Sequence, residues 1–193
     1  MRATLVCFAA ALLVACGQSV TNAPHTQSPA SSHQAQAAGP ALTGSVQVSE
    51  ASQLDAQFRV PLSAVPGSNA HTTCAQFAQG TAGSFTAPVF DVKVSDHSVY
   101  FDAVVSSGYQ GPGTYSSATQ PSITGTVAIA VGTDAGQQPT TSIYRSRING
   151  QSLMLVRPDG SGMFQFTTWG SDEVRGDTGS AAYVSGTVSW TCS

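Results

Sequence analysis

Apolar and polar residues alternate with a period of two over most of the chain after residue 43. The segment QLDAQFRVPL (residues 53–62) places Leu, Ala, Phe and Val at every second position, with Asp, Gln and Arg between them. In HSVYFDAVV (residues 97–105), the apolar side chains from Val99 to Val105 fall on one face. Successive side chains of a strand point to opposite faces, so this pattern predicts half-buried β-strands.

Nine such segments follow one another, separated by turns rich in Gly, Pro, Ser and Asp. They are residues 44–50, 53–62, 84–94, 97–105, 122–132, 140–148, 151–157, 162–169 and 181–192. Short strands without helices between them predict an all-β domain over residues 43–193 and exclude parallel α/β folds. We expect a single antiparallel β-sandwich, with a closed β-barrel as the alternative. Residues 65–83 are predicted to be a long loop, and RPDGSG (157–162) a tight turn.

The N-terminus has a different pattern. Arg2 precedes an apolar run from Ala3 to Ala15. The run is shorter than the roughly 20 residues that span a bilayer, and it fits the apolar region of a secretory signal peptide over residues 1–15. Residues 16–42 contain no Asp, Glu, Lys or Arg and are rich in Ser, Gln, Ala, Pro and Thr. Such a composition predicts a flexible, disordered tether ahead of the domain.

The apolar run ends in Leu13-Val14-Ala15-Cys16, which resembles the lipobox of bacterial lipoproteins. The resemblance implies that the signal is cut before Cys16 and that Cys16 carries acyl chains such as palmitate. The protein would then be held at a membrane by its lipidated N-terminus, because two or more chains give stable anchoring. The alternative is an ordinary signal peptide cut at a nearby small residue, with Cys16 incidental.

The four cysteines divide by position. Cys7 lies within the predicted signal and Cys16 is the implied lipid attachment site, which leaves Cys74 and Cys192. In the oxidising space outside the cytoplasm, two remaining cysteines are expected to form a disulfide. The alternative is a nucleophilic Cys74, since His71 precedes it by three residues.

The composition and the absence of known motifs limit which partners and activities the sequence predicts. The chain has 7 Lys and Arg against 10 Asp and Glu, and its single lysine is Lys93. No basic stripe exists to neutralise phosphates, so nucleic acid is not an expected partner. The sequence contains no P-loop, nucleophile elbow or zinc-protease motif, so we predict no cofactor, no metal and no catalytic residue. The polar loop with Asp172, Glu173 and Asp177 is an alternative Ca²⁺ site, although its spacing does not match an EF-hand.

Three segments, together with the lipobox and one upstream cysteine, resemble a group of small bacterial surface lipoproteins of unknown function. They are YQGPGTY (109–115), DGSGMFQF (159–166) and VSGTVSWTC (184–192). The resemblance covers most of residues 44–193 and its motifs are structural in type. No catalytic or binding residue is carried over from it.

These observations favour a lipid-anchored lipoprotein of the bacterial cell envelope, facing the periplasm or the exterior. We expect a structural or binding module for a protein or glycan ligand, and not an enzyme. Its ligand-binding residues are unknown from sequence. The aromatic side chains Tyr109, Tyr115, Tyr144 and Trp169 are candidates for a binding surface, with core packing the alternative expected for at least half of them. The alternative is a cell-envelope hydrolase with an unrecognised site.

Overall fold

Eleven strands form one antiparallel sheet in the part of the chain that the structure describes. The structure is a computed structural model, and it describes residues 39–50, 53–67, 73–119, 122–132, 140–146, 150–171 and 183–193. The strands are β1 (Ala41–Ser49), β2 (Gln53–Pro61), β3 (Phe85–Thr86), β4 (Phe90–Val94), β5 (His97–Val105), β6 (Gly113–Ser116), β7 (Ile123–Val131), β8 (Thr140–Arg145), β9 (Gln151–Val156), β10 (Gly162–Ser171) and β11 (Tyr183–Cys192). A 3₁₀ turn (Leu62–Ala64) and one helix, α1 (Cys74–Gln79), complete the described elements.

The sheet runs in the order β2-β1-β11-β10-β8-β7-β5-β3. Three further pairings branch from this path: β4 with β5, β9 with β10, and β6 with β9. The sheet is strongly curled and forms a half-barrel, so the all-β prediction is confirmed. The edge strands β2 and β4 approach each other across the curl, where the rings of Phe58 and Phe90 stack at 4.2 Å.

A bulge in β10 contributes to the curl. The register between β10 and β11 shifts between Phe166 and Trp169, and Thr168 has a φ of 52°. The backbone N–H of Thr168 donates to Ser185 Oγ at 2.9 Å, which satisfies a group that the ladder leaves unpaired. Bulges bend a strand and increase its twist. Here β10 pairs with β9 before the bulge and with β8 after it.

The core lies on the concave face of the curled sheet. In β5, Val99, Phe101, Ala103 and Val105 are all buried, as the alternation predicts. In β11, Val184, Val188 and Trp190 are buried on the same principle. Burying each large apolar side chain contributes about 1.5–3 kcal/mol, so the alternating pattern fixes which face of each strand points inward.

Two inward-facing glycines let aromatic rings lie flat against the sheet. Gly162 is paired with Trp190, and Gly186 is paired with Phe166. A Cβ atom on Gly162 would overlap the Trp190 ring, and one on Gly186 would come within 2.5 Å of the Phe166 ring. Each ring therefore occupies the space of the missing side chain, a device that allows tight curvature of a sheet.

The structure departs from the sequence prediction at three places. The predicted loop at residues 65–83 contains α1, which begins with a capping box between Thr73 and Gln76. The predicted strand 84–94 is divided into β3 and β4 by a segment that includes Pro88, which has no N–H to donate to a ladder. Strand β6 was not predicted at all. Elements of two to six residues are too short to show a periodicity of their own.

Candidate ligand-binding groove

A groove crosses the outer face of the sheet over β5, β7 and β8. Its volume is about 420 Å³, within the range of small-molecule sites. The outward-facing side chains that line it include Tyr100, Asp102, Thr124, Thr126 and Arg145. All five are partly exposed. They point away from the core because their strand neighbours point into it.

Three of these residues form one row across the strands. Asp102 is paired with Thr126, and Thr126 is paired with Arg145. Residues directly opposite one another in a sheet share a face, and neighbouring strands lie about 4.8 Å apart. The Cα atoms of Asp102 and Arg145 are therefore separated by about 10 Å. The row carries a carboxylate at one end, a hydroxyl in the middle and a guanidinium at the other end.

The concavity follows from side-chain size. The outward positions of β7 that line the groove hold Thr124 and Thr126, while longer Tyr100 and Arg145 stand on the flanking strands. Small side chains on the central strand make the floor, and larger ones on its neighbours make the walls. At one end, the N–H of Gly125 donates to Ser146 Oγ at 3.1 Å, which ties β7 to the end of β8. The floor is thus built from hydrogen-bonded strands rather than from loops.

Tyr100 and Asp102 are hydrogen-bonded to each other on one wall of the groove. The phenol of Tyr100 donates a hydrogen bond to Asp102 Oδ2 at 3.2 Å. Burial raises the pKa of Tyr100, and the charge of Asp102 and the hydrogen bond to it raise this pKa further. Tyr100 therefore stays a neutral donor at physiological pH, and it orients the carboxylate while presenting its ring to the groove.

Aromatic rings fill the interior of the half-barrel around these strands. Phe101 lies 5.6 Å from Phe164, and Phe166 lies 4.6 Å from Trp169, measured between ring centroids. Phe101, Phe164, Phe166 and Trp169 are each 0–1% exposed. Since these side chains occupy the concave face, the outer face is where the described sheet offers room for a ligand.

Three of the four aromatic candidates for a binding surface are buried, so core packing, the alternative for at least half of them, holds for Tyr109, Tyr144 and Trp169. Tyr109 donates to the carbonyl of Ala78 at 2.5 Å, and Trp169 Nε1 donates to Ser152 Oγ at 3.2 Å. Tyr144 is fully buried and donates to the carboxylate of Glu50. The sequence pattern does not assign these side chains to the inner or the outer face of the sheet. Each lies in or beside a strand whose pairing register cannot be derived from the sequence.

The fourth aromatic residue, Tyr115, is partly buried in β6. Its hydroxyl donates to the carbonyl of Gly111 at 2.5 Å and accepts from the N–H of Gln110 at 3.1 Å. Its ring lies 4.9 Å from that of Tyr109. Tyr115 therefore packs over the turn at residues 110–112 together with Tyr109.

The sequence prediction missed Tyr100 as a site residue. The signal was present: the alternation that puts Val99 and Phe101 inside puts Tyr100 and Asp102 outside on the same strand. What the sequence could not supply is the pairing of β5 with β7 and of β7 with β8, which brings Arg145 into the same row.

A disulfide joins Cys74 to Cys192, as the cysteine positions predict. The two Cα atoms are 5.7 Å apart and the residues are 118 positions apart in sequence. The bond ties the N-terminal end of α1 to the end of β11. Cys74 therefore has no free thiol in this structure, and the alternative of a nucleophilic Cys74 is not supported. His71, its proposed partner, lies outside the described residues.

Among the described residues, the remaining titratable candidates form no cluster that could hold a metal ion. His97 Nδ1 lies 2.7 Å from Asp96 Oδ1 in the β4–β5 turn, and this hydrogen bond lowers the pKa of Asp96. In the described residues, no three His, Cys, Asp or Glu side chains come close enough to hold a metal ion. The loop with Asp172, Glu173 and Asp177 lies outside the described residues.

A second, more open groove of about 600 Å³ lies on the outer face of β1, β2, β10 and β11. Its hydroxyls are engaged with each other: Thr43 Oγ1 lies 3.1 Å from Thr191 Oγ1, and Ser45 Oγ lies 3.0 Å from Ser189 Oγ. Side chains that already satisfy one another have less to offer a ligand, and Arg157 is the charged residue of its lining. The groove over β5, β7 and β8 is the better candidate.

Comparison with known protein families, with curated proteins and with solved structures found no match to this chain. The described residues form an all-β half-barrel with a polar groove on its outer face. Across the described ranges, no helix is both long enough and apolar enough to cross a bilayer. Cys16 and the signal-like segment lie outside the described residues.

Proposed function

We propose that the protein is an exported, lipid-anchored binding module whose outer-face groove holds a saccharide. The observation that carries this proposal is the row of Asp102, Thr126 and Arg145 beside the ring of Tyr100, all on paired strands. Ligand sites combine a concave surface with a few placed polar groups that fix orientation. A groove of this size with carboxylate, hydroxyl and guanidinium groups suits a ligand rich in hydroxyls.

Each groove residue has a role in this proposal. Asp102 accepts hydrogen bonds from sugar hydroxyls through the oxygen that Tyr100 does not occupy. Thr124 and Thr126 both donate and accept, since a hydroxyl does either. The ring of Tyr100 offers an apolar surface for the C–H groups of the sugar, with its polar tip already satisfied by Asp102.

The proposed location is the bacterial cell envelope, facing the periplasm or the exterior. Its support is the resemblance of Leu13–Cys16 to a lipobox, the uncharged segment that follows, and the Cys74–Cys192 disulfide. Disulfides persist in oxidising compartments and are rare in the cytosol. The tether would hold the half-barrel off the membrane and leave the groove accessible to ligands.

The alternative function, a cell-envelope hydrolase, has less support. The lining of the groove contains hydroxyls and one carboxylate but no histidine. In the described residues, His97 pairs with the exposed Asp96 in a turn and not with a serine. A serine or threonine nucleophile requires a base within hydrogen-bond reach, and no Ser or Thr among the described residues of the groove is hydrogen-bonded to a carboxylate or a histidine.

A direct binding measurement tests the saccharide proposal. Full-length protein in detergent is titrated calorimetrically with defined neutral and acidic oligosaccharides. Asp102→Asn should weaken binding at least about 10-fold, because a hydrogen bond to a charged group contributes about 1.5–3 kcal/mol. Asp55→Asn is the matched control, since Asp55 is exposed on β2, away from the groove. Absence of binding to every oligosaccharide, or equal loss in both variants, would reject the proposal.

A second prediction concerns the anchor. Cys16→Ser removes the thiol that the lipobox resemblance assigns to lipid attachment. We expect this variant to incorporate no radiolabelled palmitate and to leave the membrane fraction or remain unprocessed. Cys7→Ser is the control, because Cys7 lies in the segment predicted to be removed. Unchanged labelling of Cys16→Ser would show that Cys16 is incidental.

A further inference from the structure

The carboxylate of Asp102 is the charged group of the groove that can still take up a ligand. Asp102 is partly exposed in the lining, and its Oδ2 accepts one hydrogen bond, from Tyr100. An ionised carboxylate has about four acceptor sites on its two oxygens, so Tyr100 leaves most of them for other donors. Arg145, the cation of the lining, is already engaged by an interaction within the protein. The charge that the groove offers to a ligand is therefore negative.

The ring of Tyr100 lies beside this carboxylate on the outer face of β5. An aromatic face attracts a cation, and Tyr100 stays a neutral phenol because burial and the charge of Asp102 raise its pKa. Asp91 lies directly opposite Tyr100 on β4 and is exposed, so the ring has a carboxylate on two sides. A cationic group bound at Asp102 thus gains a second favourable contact with the ring.

We infer that the groove selects a saccharide that carries one protonated amino group, that is, a residue of the amino-sugar class. The ammonium donates to the Asp102 oxygen that Tyr100 does not occupy. The hydroxyls of the same sugar ring meet the side chains of Thr124 and Thr126, which line the groove next to Asp102. This inference rests on the proposed saccharide function and assigns the ligand class for the same site.

The positive charges near the groove lie too far from Asp102 to oppose this arrangement. The Cα atom of Arg145 is two strands away from that of Asp102, about 10 Å. Lys93 is exposed on β4, paired with Ser98 and not with Tyr100, and it is not part of the lining. Salt largely screens exposed charges at such separations, whereas a charge-assisted hydrogen bond acts at contact. The net charge of −3 also favours the approach of a cation over that of an anion.

The test compares two disaccharides that differ at a single group. Full-length protein in detergent is titrated calorimetrically with N,N′-diacetylchitobiose and with the same disaccharide after removal of the acetyl group from one ring, which leaves one ammonium. We expect this mono-amine to bind at least about 10-fold more tightly, because a charge-assisted hydrogen bond is roughly twice as strong as a neutral one.

Variants of the groove assign the preference to the carboxylate. Asp102→Asn should remove the preference, because the amide keeps the shape and loses the charge, and Asp102→Glu should retain part of it. Thr126→Val removes a hydroxyl and no charge, so it should weaken both disaccharides by a similar factor and leave the preference unchanged. Asp55→Asn, on β2 away from the groove, is the matched control and should bind both ligands as the wild type does. Circular dichroism of each variant establishes that it is folded.

The outcomes separate this inference from the function on which it rests. Equal binding of the two disaccharides, or a preference for the mono-amine that survives Asp102→Asn, would overturn the amino-sugar assignment and leave saccharide binding intact. Butylammonium that binds as tightly as the mono-amine would show that the groove takes a simple cation, which would overturn the assignment to a sugar. Failure of both disaccharides and of every other oligosaccharide to bind would overturn the proposed function itself.

Discussion

Tyr144 is an ionisable side chain held entirely inside the half-barrel. It is 0% exposed and its hydroxyl donates to the carboxylate of Glu50 at the end of β1. Burial raises the pKa of Tyr144 above its ordinary value of about 10, and the hydrogen bond to Glu50 raises it further. Burial also raises the pKa of Tyr109. Both phenols therefore keep their protons in the folded state at pH values where the unfolded chain loses them.

These two tyrosines predict alkaline destabilisation. Their contribution to stability is fully present below about pH 10, the unfolded pKa, and is lost as the pH rises from there toward the folded pKa. Each should lower the free energy of unfolding by up to about 1.4 kcal/mol per pH unit in that interval. Urea unfolding at pH 8, 10 and 11 measures this slope.

Tyr144→Phe separates the contribution of Tyr144 from that of other groups. The variant has no phenol to ionise, so its stability should fall less steeply above pH 10 than that of the wild type. Tyr183→Phe is the control, because Tyr183 is 50% exposed. The same slope in wild type and in Tyr144→Phe would contradict the burial argument.

At the scale of elements, aromatic rings of one strand pack against glycines of the neighbouring strand. Gly162 in β10 makes room for the Trp190 ring of β11, and Trp190 Nε1 donates to the carbonyl of Gly160 at 2.9 Å. This contact connects the β9–β10 turn to the last strand beside the disulfide. The curvature of the sheet therefore depends on particular glycines and not only on its twist.

Gly162→Ala tests this dependence. A Cβ atom there would overlap the Trp190 ring and come within 2.5 Å of the Leu155 carbonyl oxygen. Overpacking of this kind costs about 1–3 kcal/mol, which should appear as a lower midpoint of denaturant unfolding. Gly113→Ala is the matched control, since its Cβ would meet only atoms at 3.7 Å or more. An equal loss of stability in both variants would show that the ring contact is not responsible.

The sequence predicts which side chains of a strand point inward far better than it predicts which strands pair with each other. The period of two in residues 53–62 and 97–105 assigned inward and outward residues correctly, because burial of one face imposes that period. The groove could not be predicted, because it depends on β7 lying between β5 and β8, and β5 and β7 are separated in sequence by β6, which pairs with β9 instead. The partial burial of Tyr100 and the full burial of Tyr144 follow from the same pairings.

At the scale of the whole molecule, the disulfide closes a loop over most of the described domain. Cys74 and Cys192 are 118 residues apart, and in the chain-entropy model a loop of that length contributes about 4–5 kcal/mol. We expect Cys74→Ala/Cys192→Ala to keep the far-ultraviolet circular dichroism of the wild type and to unfold at a lower denaturant concentration. Peptide mass spectrometry of unreduced wild type should find the Cys74–Cys192 pair. A reactive thiol at Cys74 would contradict the bond.

The alternation in β5 and β7 has a consequence for how such a protein changes over evolution. Residues that shape the groove and residues that hold the fold together occupy opposite faces of the same strands. At the proposed saccharide site, substitutions at Thr124 or Thr126 would alter ligand preference without creating a cavity in the core, since exposed positions usually change stability by less than about 0.5 kcal/mol. The specificity of the proposed site would therefore change while the half-barrel and its disulfide persist.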